Sequence, residues 1–425
     1  MGELKLYTRV IEDLEKRRER VLSGNINCIP LQFERFKSEF PGVEQSRYYL
    51  FTANSKIGKT QITDAIMLYH PFFYAFNNPD KIRLKIFYFT LEMSAEEKYR
   101  QFICHILFVL SKGRIRIDTK NLRSTDKDSP LPEFILDLIK SEEYIKYFKF
   151  FEECVVFIDN IRNPTGIFSF LRDYAKQKGT QYYKKIDFKD NNGNIIETKE
   201  VDDYYIQDDP GEYRIAIIDH YKLLQTEKEN SIGLNLMQTI GKWSSDYAIK
   251  LRNKYGYIIG GVQQQMPGQE SNENAKLGKL KPTLDGLADN KSTQQDANVI
   301  FGLFSPFRHT IHDYMGYSID RFEDNIRFLE ILGGREGGGG MTCPTYFDGA
   351  VNHFRELPLP NDKENIDKVY SMIESIRQPK KVVMMMINNK KYINNGKNLS
   401  ACKKWFWKNY FNLRQRKVWD QRIKS

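Results

Sequence analysis

Residues 47–60 have the sequence RYYLFTANSKIGKT, and this stretch decides the fold class of the chain. Its aromatic and apolar first part, residues 48–51, is typical of a buried strand, and residues 61 to about 68 can form a helix. The loop between them ends in Gly-Lys-Thr, so strand, loop and helix follow one another as in a phosphate-binding loop. Ala53 stands where many such loops have glycine, which departs from the strict pattern by one residue.

The residue types in this loop suit a polyphosphate. Gly58 lets the backbone amides turn toward phosphate oxygens, the ammonium group of Lys59 reaches the outer phosphates, and the hydroxyl of Thr60 can ligate magnesium. We therefore expect a nucleotide site formed by Ser55, Gly58, Lys59 and Thr60.

Composition indicates a soluble globular protein. Of the 425 residues, 40% are hydrophobic and 28% are charged. The chain has no run of about 20 apolar residues that could span a membrane, and its N-terminus lacks the apolar segment of a secretory signal. The five cysteines are odd in number and far apart, so neither a disulfide framework nor a zinc site is expected. We expect a reducing, cytoplasmic location.

The net charge of +10 is concentrated at the C-terminal end. From Asn361 onward there are sixteen Lys and Arg residues against five Asp and Glu residues, which leaves the rest of the chain close to neutral. A local excess of positive charge favours a polyanionic partner. Residues 380–425 also contain seven Tyr, Phe and Trp side chains, a composition typical of single-strand nucleic-acid binding. The alternative is that these aromatic side chains form a small helical core or dock on another part of the assembly or on a partner protein, and clustered tryptophans favour such burial.

Three further apolar runs, residues 82–89, 213–218 and 257–262, are typical of buried strands and alternate with helical segments. This order predicts an α/β fold with a mostly parallel, doubly wound sheet. Glu92 and Asp219 follow the ends of two of these strands, at the rim where open α/β sheets bind ligands. Asp219 is expected to organise magnesium, whereas a solvated loop carboxylate is the alternative for Glu92.

Three other segments have distinct patterns. Apolar residues three and four apart predict an amphipathic helix over residues 3–22, which must pack on the body or on another subunit. Two strand-like runs flank the sequence NNGN at residues 191–194, which predicts an inserted, surface-exposed β-hairpin within residues 179–212. Residues 266–289 are rich in Gly, Asn, Lys and Pro, which predicts long mobile loops.

Five separated stretches resemble, in order and spacing, the motifs of DnaB-like replicative helicases. The most specific is TLEMSAEE at residues 90–97, because it closely resembles the family's Leu-Glu-Met-Ser segment. The other four are ANSKIGKT at 53–60, IIDHYKLL at 217–224, LADNKSTQQDANVI at 287–300 and ILGGREGGGG at 331–340. The resemblance extends over about residues 1–356, without the insert.

This resemblance implies a RecA-like P-loop NTPase core, in which a mostly parallel twisted sheet has helices on both faces. It also implies a hexameric ring around single-stranded DNA, with ATP and Mg²⁺ bound between subunits. By position, Glu92 would polarise the attacking water, Gln264 would sense the terminal phosphate, and Arg335 would be the arginine finger for the neighbour's nucleotide. Asp219 would organise magnesium. Primase and other replication proteins are further candidate partners.

The resemblance also divides the chain into segments. Residues 1–24 match the family's linker helix, residues 25–356 match its ATPase domain, and residues 357–425 are a basic, aromatic extension. The family's N-terminal primase-contacting domain is absent, from which we expect a viral or mobile-element origin.

Two departures from the family pattern affect positions expected to act in ATP turnover and in DNA binding. Gly333 replaces a lysine near the arginine finger, and Ala288 replaces a phosphate-contacting arginine. Five other residues remain candidate DNA contacts, and the alternative for each is a solvated loop side chain that does not contact DNA. They are Lys276, Lys279, Lys281, Asn290 and Lys291. The predicted function is an ATP-dependent DNA helicase motor. The alternatives are a RecA-like recombinase or DNA-dependent ATPase, and a low-turnover structural or helicase-loading protein.

Overall fold

The computed structural model describes residues 5–190, 194–229, 231–335, 337 and 339–377. The chain divides into two compact units, residues 1–362 and residues 363–425. The predicted nucleic-acid-binding segment at residues 380–425 lies outside the described residues.

The first half of the first unit alternates helices and strands. Its elements are α1 (Lys5–Leu22), β1 (Cys28–Pro30), β2 (Gly42–Glu44), β3 (Tyr48–Ala53), α2 (Lys59–Asp64), α3 (His70–Asn77), β4 (Arg83–Thr90), α4 (Ala95–Leu110), α5 (Thr119–Leu122), α6 (Glu133–Ile139), α7 (Glu142–Cys154), β5 (Val155–Ile158) and α8 (Pro164–Gln177). A π-helical segment, Ala65–Tyr69, joins α2 to α3.

The second half contributes most of the strands. Its elements are β6 (Gly179–Lys189), β7 (Ile195–Gln207), β8 (Glu212–Asp219), β9 (Lys228–Glu229), β10 (Ile232–Gly233), α9 (Leu236–Gly241), α10 (Ile249–Tyr255), β11 (Ile258–Gln264), α11 (Asn272–Lys276), α12 (Thr293–Asp296), β12 (Val299–Phe304), β13 (Asp313–Tyr314), β14 (Tyr317–Ser318), α13 (Ile319–Phe322), β15 (Ile326–Gly334), β16 (Thr342–Asp348) and β17 (His353–Glu356). The second unit contains α14 (Lys363–Arg377).

A nine-stranded sheet forms the centre of the first unit, in the order β17-β16-β15-β12-β3-β11-β8-β4-β5. The six strands from β12 to β5 are parallel, and β15, β16 and β17 extend the sheet in antiparallel fashion. The phosphate-loop strand β3 lies between β11 and β12 and is buried along its whole length. Burial on both faces explains why its sequence is apolar throughout rather than alternating. The predicted mostly parallel α/β sheet is confirmed.

Helices cover both faces of this sheet. One apolar cluster packs α2, α3, α4 and α7 against one face, and it includes Phe72, Phe102 and Phe151. The other packs α8, α9 and α10 against the opposite face, around the fully buried Trp243. This is the doubly wound arrangement that the alternation of strands and helices predicts.

The insert is an antiparallel hairpin formed by β6 and β7, which pair only with each other among the described residues. Its strands are longer than the sequence patterns indicate, and its apolar residues Ile195 and Ile196 are exposed. The sequence prediction of a surface-exposed hairpin is therefore confirmed.

The N-terminal helix α1 presents an apolar face to solvent. Leu6 and Leu14 are 68% and 56% exposed. Its polar face contacts the body, because Arg17 forms an ion pair with Glu44 and the guanidinium group of Arg9 lies 5.5 Å from the ring centroid of Tyr204. In the part of the chain that the structure describes, most of this apolar stripe is therefore uncovered.

Among the described residues, no helix combines the length and the apolar composition needed to cross a membrane.

Candidate functional site

The carboxyl ends of four parallel strands lie along the same edge of the sheet. The predicted site residues lie at these strand ends or in the loops that follow them. Ala53 at the end of β3 is paired with Gln264 at the end of β11, and Thr90 at the end of β4 is paired with Asp219 at the end of β8. Because β11 also pairs with β8, the loops that follow these strands open next to one another. The parallel register therefore brings together residues that are far apart in sequence.

The phosphate-binding loop connects β3 to α2. Gly58, the residue before α2, has a φ of 108°, a conformation that residues with a Cβ rarely adopt. The Nζ atom of Lys59 donates a hydrogen bond to the carbonyl oxygen of Asn54 at 3.2 Å, so the lysine lies over its own loop. Ser55 is half-buried in the same loop. Burial lowers the pKa of Lys59, while the carboxylates of Asp219 and Glu92 oppose this change.

A buried arginine supports this loop from strand β15, which is separated from β3 by β12. The Nε atom of Arg327 donates a hydrogen bond to the carbonyl oxygen of Ile57 at 2.8 Å. Its guanidinium group also lies 4.5 Å from the ring centroid of Phe347. Sequence reasoning missed this contact, because nothing in an isolated strand pattern indicates that an arginine faces inward.

Thr60 and Asp219 bring two oxygen donors together. The Thr60 hydroxyl donates a hydrogen bond to Oδ1 of Asp219 at 2.9 Å. Hydroxyl and carboxylate oxygens are the ligand types that Mg²⁺ prefers, so the donor set at this position fits a magnesium ion. The sequence prediction that Thr60 and Asp219 share a metal site is thus chemically consistent with their placement.

Glu92 lies beside this pair in the loop after β4. Its side chain is 53% exposed, and its Oε2 atom is 3.9 Å from Nε2 of His220. Burial lowers the pKa of His220, so the neutral imidazole is favoured at neutral pH. An exposed carboxylate at the rim is accessible to a water molecule, as a residue that polarises the attacking water must be.

The end of β11 connects this edge to the predicted DNA-contacting loops. The Gln263 amide donates hydrogen bonds to the carbonyl oxygens of Ala288 and Asn290 at 2.6 and 2.7 Å. The Gln265 amide donates to the Thr283 carbonyl at 3.0 Å. Because successive strand residues point to opposite faces, Gln264 projects away from these two contacts. Sequence reasoning selected Gln264 alone and missed the two glutamines that hold the loop.

The predicted DNA-contacting residues are placed differently from one another. Lys276, Lys279 and Lys291 are exposed. Lys281 instead forms an ion pair with Glu330 at 3.3 Å. Asn290 is buried, which differs from its predicted role. Its amide donates to the carbonyl oxygen of Met237 at 2.8 Å and its Oδ1 accepts from the Ser292 amide at 2.7 Å, so it shapes the loop.

The surrounding loops are also less irregular than predicted. Within residues 266–289 the chain forms a short 3-10 turn, Pro267–Glu270, and the helix α11. At the start of α11 the Ser271 hydroxyl oxygen accepts a hydrogen bond from the backbone amide of Asn274, which caps this helix.

Arg335 lies at the opposite edge of the sheet from the phosphate loop. Its backbone amide donates to the carbonyl oxygen of Asn298 at 3.0 Å, and the Asn298 amide donates to the carbonyl oxygen of Tyr48 at 2.7 Å. Tyr48 is the first residue of β3, whereas the phosphate loop follows the last. Five residue steps of a strand separate the two edges by about 17 Å. The structure therefore does not bring Arg335 together with Lys59 in one chain.

A buried polar cluster lies behind Asp219, and sequence reasoning missed it. Lys98 of α4 forms an ion pair with Asp64 of α2, with an Nζ to Oδ2 distance of 3.0 Å. The hydroxyl of Tyr88 lies 2.8 Å from Oδ1 of Asp64 and 3.0 Å from Oδ2 of Asp219. Burial raises the pKa of Asp64, and the ammonium group of Lys98 opposes that rise.

Comparisons with family models and with curated proteins give no match for this chain. Solved structures do match. One, "The Structure Of A DnaB-Like Replicative Helicase And Its Interactions With Primase", has a TM-score of 0.57 and 16% identity, covering 84% of this chain and 69% of the other. A second solved structure, that of an ATPase domain, has a TM-score of 0.54 and 18% identity, covering 84% of this chain and 100% of the other.

At these identities the likeness establishes the fold. The chain has the RecA-like α/β fold of a DnaB-like helicase ATPase domain. The resemblance indicated by the sequence motifs is thus confirmed at the level of the fold.

Proposed function

We propose that this chain is an ATP-dependent, DnaB-like replicative DNA helicase motor, which translocates on single-stranded DNA as a hexameric ring. The observation that carries the proposal is the division of the candidate catalytic residues between two edges of one sheet. Lys59, Thr60, Glu92 and Asp219 gather at one edge, whereas Arg335 lies at the other. A nucleotide site between two copies, arranged head to tail around a ring, accounts for this division.

Each residue at the site has a role that its position allows. Lys59 binds the outer phosphates of ATP, and Thr60 and Asp219 hold Mg²⁺, which when bound neutralises charge on the phosphates. Glu92 orients and polarises the attacking water. Arg335 from a neighbouring copy stabilises the charge that develops during phosphoryl transfer. Hydrolysis would then depend on ring assembly.

The loop contacts of β11 support a coupling between nucleotide and DNA. Gln264 lies at the strand end, next to the residue pair that ties the loops to the sheet. A change at the terminal phosphate would be passed from Gln264 to these loops, which expose Lys276, Lys279 and Lys291. The uncovered apolar face of α1 supports docking of this linker helix on the next subunit.

The partners follow from the same proposal. One of the matching structures is that of a DnaB-like replicative helicase and its interactions with primase. We accordingly propose single-stranded DNA, further copies of this chain, and primase or another replication protein as partners in the cytoplasm.

The experiment that tests this function is ATP hydrolysis with and without single-stranded DNA. The wild type is expected to be stimulated by DNA, and Lys59→Ala is expected to lower turnover by about 10²–10³-fold, because the charge on the outer phosphates loses its cation. Lys149→Ala, which removes an exposed lysine of α7, is the matched control and should hydrolyse ATP like the wild type.

Two outcomes would replace the helicase proposal by another function. DNA-stimulated hydrolysis without unwinding of a forked duplex would favour a recombinase or DNA-dependent ATPase. Tight ATP binding with negligible turnover would favour a structural or helicase-loading protein, for which Gly333 and Ala288 would be the relevant departures.

A double variant tests the DNA-contacting loop. Lys276→Ala/Lys279→Ala is expected to weaken single-stranded DNA binding and to reduce the slope of log affinity against log salt by about 1.4, roughly 0.7 for each lysine that no longer neutralises a phosphate. Fluorescence anisotropy with a labelled oligonucleotide at several salt concentrations measures this slope, and Lys149→Ala again serves as the control. An unchanged slope would exclude both lysines from phosphate contact.

A further inference from the structure

Four polar side chains form a continuous chain of contacts beneath the phosphate loop. Lys98, Asp64 and Asp219 are 1%, 0% and 2% exposed, and Tyr88 between them is fully buried. Tyr88 and Asp219 come from adjacent strands, while Asp64 and Lys98 come from the helices α2 and α4. A lysine and two carboxylates at such depth are costly to desolvate, so their retention calls for a function or for a close set of hydrogen bonds.

The number of protons available decides how these groups are connected. The Tyr88 hydroxyl has one proton and two carboxylate neighbours, Asp64 at 2.8 Å and Asp219 at 3.0 Å. The Lys98 ammonium group donates to both oxygens of Asp64, at 3.2 and 3.0 Å, and to the Tyr88 oxygen at 2.7 Å. Asp64 accepts three other hydrogen bonds, two from Lys98 and one from the Asn352 amide at 3.2 Å, whereas among the described residues Oδ2 of Asp219 has only the Tyr88 hydroxyl within hydrogen-bond distance. We therefore assign the Tyr88 proton to Asp219.

This arrangement assigns a separate partner to each oxygen of Asp219. Its Oδ2 atom accepts from Tyr88, while its Oδ1 atom accepts from the Thr60 hydroxyl at 2.9 Å, on the side of the phosphate loop. The charge of Lys98 is balanced by Asp64, from which Nζ is 3.0 Å away, compared with 3.7 Å from Asp219. The carboxylate of Asp219 is therefore held in a fixed orientation toward the position of Thr60.

We propose that Tyr88 and Lys98 are positioning residues, which orient the Asp219 carboxylate toward a nucleotide-bound divalent cation through a buried hydrogen-bond chain anchored on Asp64. Tyr88 holds Oδ2 directly. Lys98 acts through Tyr88, since without its ammonium group the hydroxyl proton would turn to the nearer carboxylate, Asp64. The inference rests on the proposed nucleotide site but not on helicase activity.

The test measures binding rather than turnover. A fluorescent, non-hydrolysable ATP analogue is titrated into wild type and Tyr88→Phe, without Mg²⁺ and over a range of Mg²⁺ concentrations. Tyr88→Phe is expected to raise the half-saturating Mg²⁺ concentration about tenfold or more, as is typical when the partner of a metal-ligating carboxylate is removed. Affinity without Mg²⁺ should stay at the wild-type value. Tyr213→Phe, in a buried tyrosine at the other end of β8, is the matched control.

A second variant tests the assignment of the Tyr88 proton and removes both members of the buried Asp64–Lys98 pair together. In Asp64→Leu/Lys98→Met the Tyr88 hydroxyl has only Asp219 to donate to, so the Mg²⁺ response should remain within about twofold of the wild type. A tenfold weaker response in this double variant would overturn the proton-counting argument. A wild-type response in Tyr88→Phe would overturn the positioning role while leaving nucleotide binding intact. Failure of the wild-type protein to bind the analogue would instead overturn the proposed function.

Discussion

Arg335→Ala is expected to lower DNA-stimulated ATP hydrolysis by about 10³–10⁵-fold, the effect of removing an arginine that acts in trans on a phosphoryl group. Binding of the nucleotide should change little, because Lys59 and Thr60 hold it from the other copy. Arg335 lies at the edge of the sheet opposite the phosphate loop, where its backbone is bonded to Asn298 beside the first residue of β3. Turnover would therefore fall without a matching fall in affinity.

The control for this variant is a second arginine on the same fold. Arg172→Ala removes a side chain of α8 that is paired with its neighbour Asp173, and it should hydrolyse ATP at the wild-type rate. Hydrolysis by Arg335→Ala at the wild-type rate would contradict a role for Arg335 at any nucleotide site. Loss of nucleotide binding in this variant would point to a structural defect instead.

Lys98→Met is expected to lower the free energy of unfolding by about 3–5 kcal/mol, because it leaves the buried carboxylate of Asp64 without its cation. The ion pair is 3.0 Å long and its two side chains are 1% and 0% exposed, so water does not screen the loss. Urea denaturation of the wild type and the variant measures this difference directly.

The double variant Asp64→Leu/Lys98→Met separates the charge effect from the packing effect. Replacing both members of a buried pair by apolar residues of similar volume is often neutral or stabilising, so most of the lost stability should return. A single variant as stable as the wild type would show that the buried pair contributes nothing to folding.

The stability of Lys98→Met should also depend on pH. Burial raises the pKa of Asp64 in the folded protein above its unfolded value of about 3.9, and removing Lys98 removes the group that opposes this rise. A raised carboxyl pKa means that the folded state binds a proton more tightly than the unfolded state does. The loss of unfolding free energy in Lys98→Met, relative to the wild type, should therefore shrink as pH falls toward 4 and grow as pH rises. Denaturation series at several pH values would reveal this slope, which the double variant should lack.

The sequence is sufficient to predict the parallel part of the sheet and the residues at its edge. The apolar runs of β3, β4, β8 and β11 identify the strands because both of their faces are buried. Asp219 ends β8, Glu92 lies two residues after β4, and Lys59 and Thr60 begin α2 after the loop that follows β3. Parallel pairing of these strands therefore brings the four residues together. A local sequence pattern is therefore sufficient to predict functional residues that lie at or near strand ends.

Contacts between distant elements could not be predicted in this way. Lys98 belongs to the charged run AEEKYR, which is typical of a solvated helix face, yet packing of α4 behind α2 buries it against Asp64. Asn290 belongs to a polar loop, yet hydrogen bonds with Gln263 and Met237 hold it in a buried position. The inward direction of Arg327 has the same origin, since it depends on the Ile57 carbonyl of a loop 270 positions earlier. Tertiary packing decides each of these cases.

The most direct test of the central claim, a nucleotide site shared between copies, is to mix Lys59→Ala with Arg335→Ala in equal amounts and measure DNA-stimulated ATP hydrolysis. In a randomly assembled head-to-tail ring, about a quarter of the interfaces would join an intact Lys59 to an intact Arg335, so the mixture should recover about a quarter of wild-type turnover. A mixture no more active than the sum of its separate components would contradict the shared site.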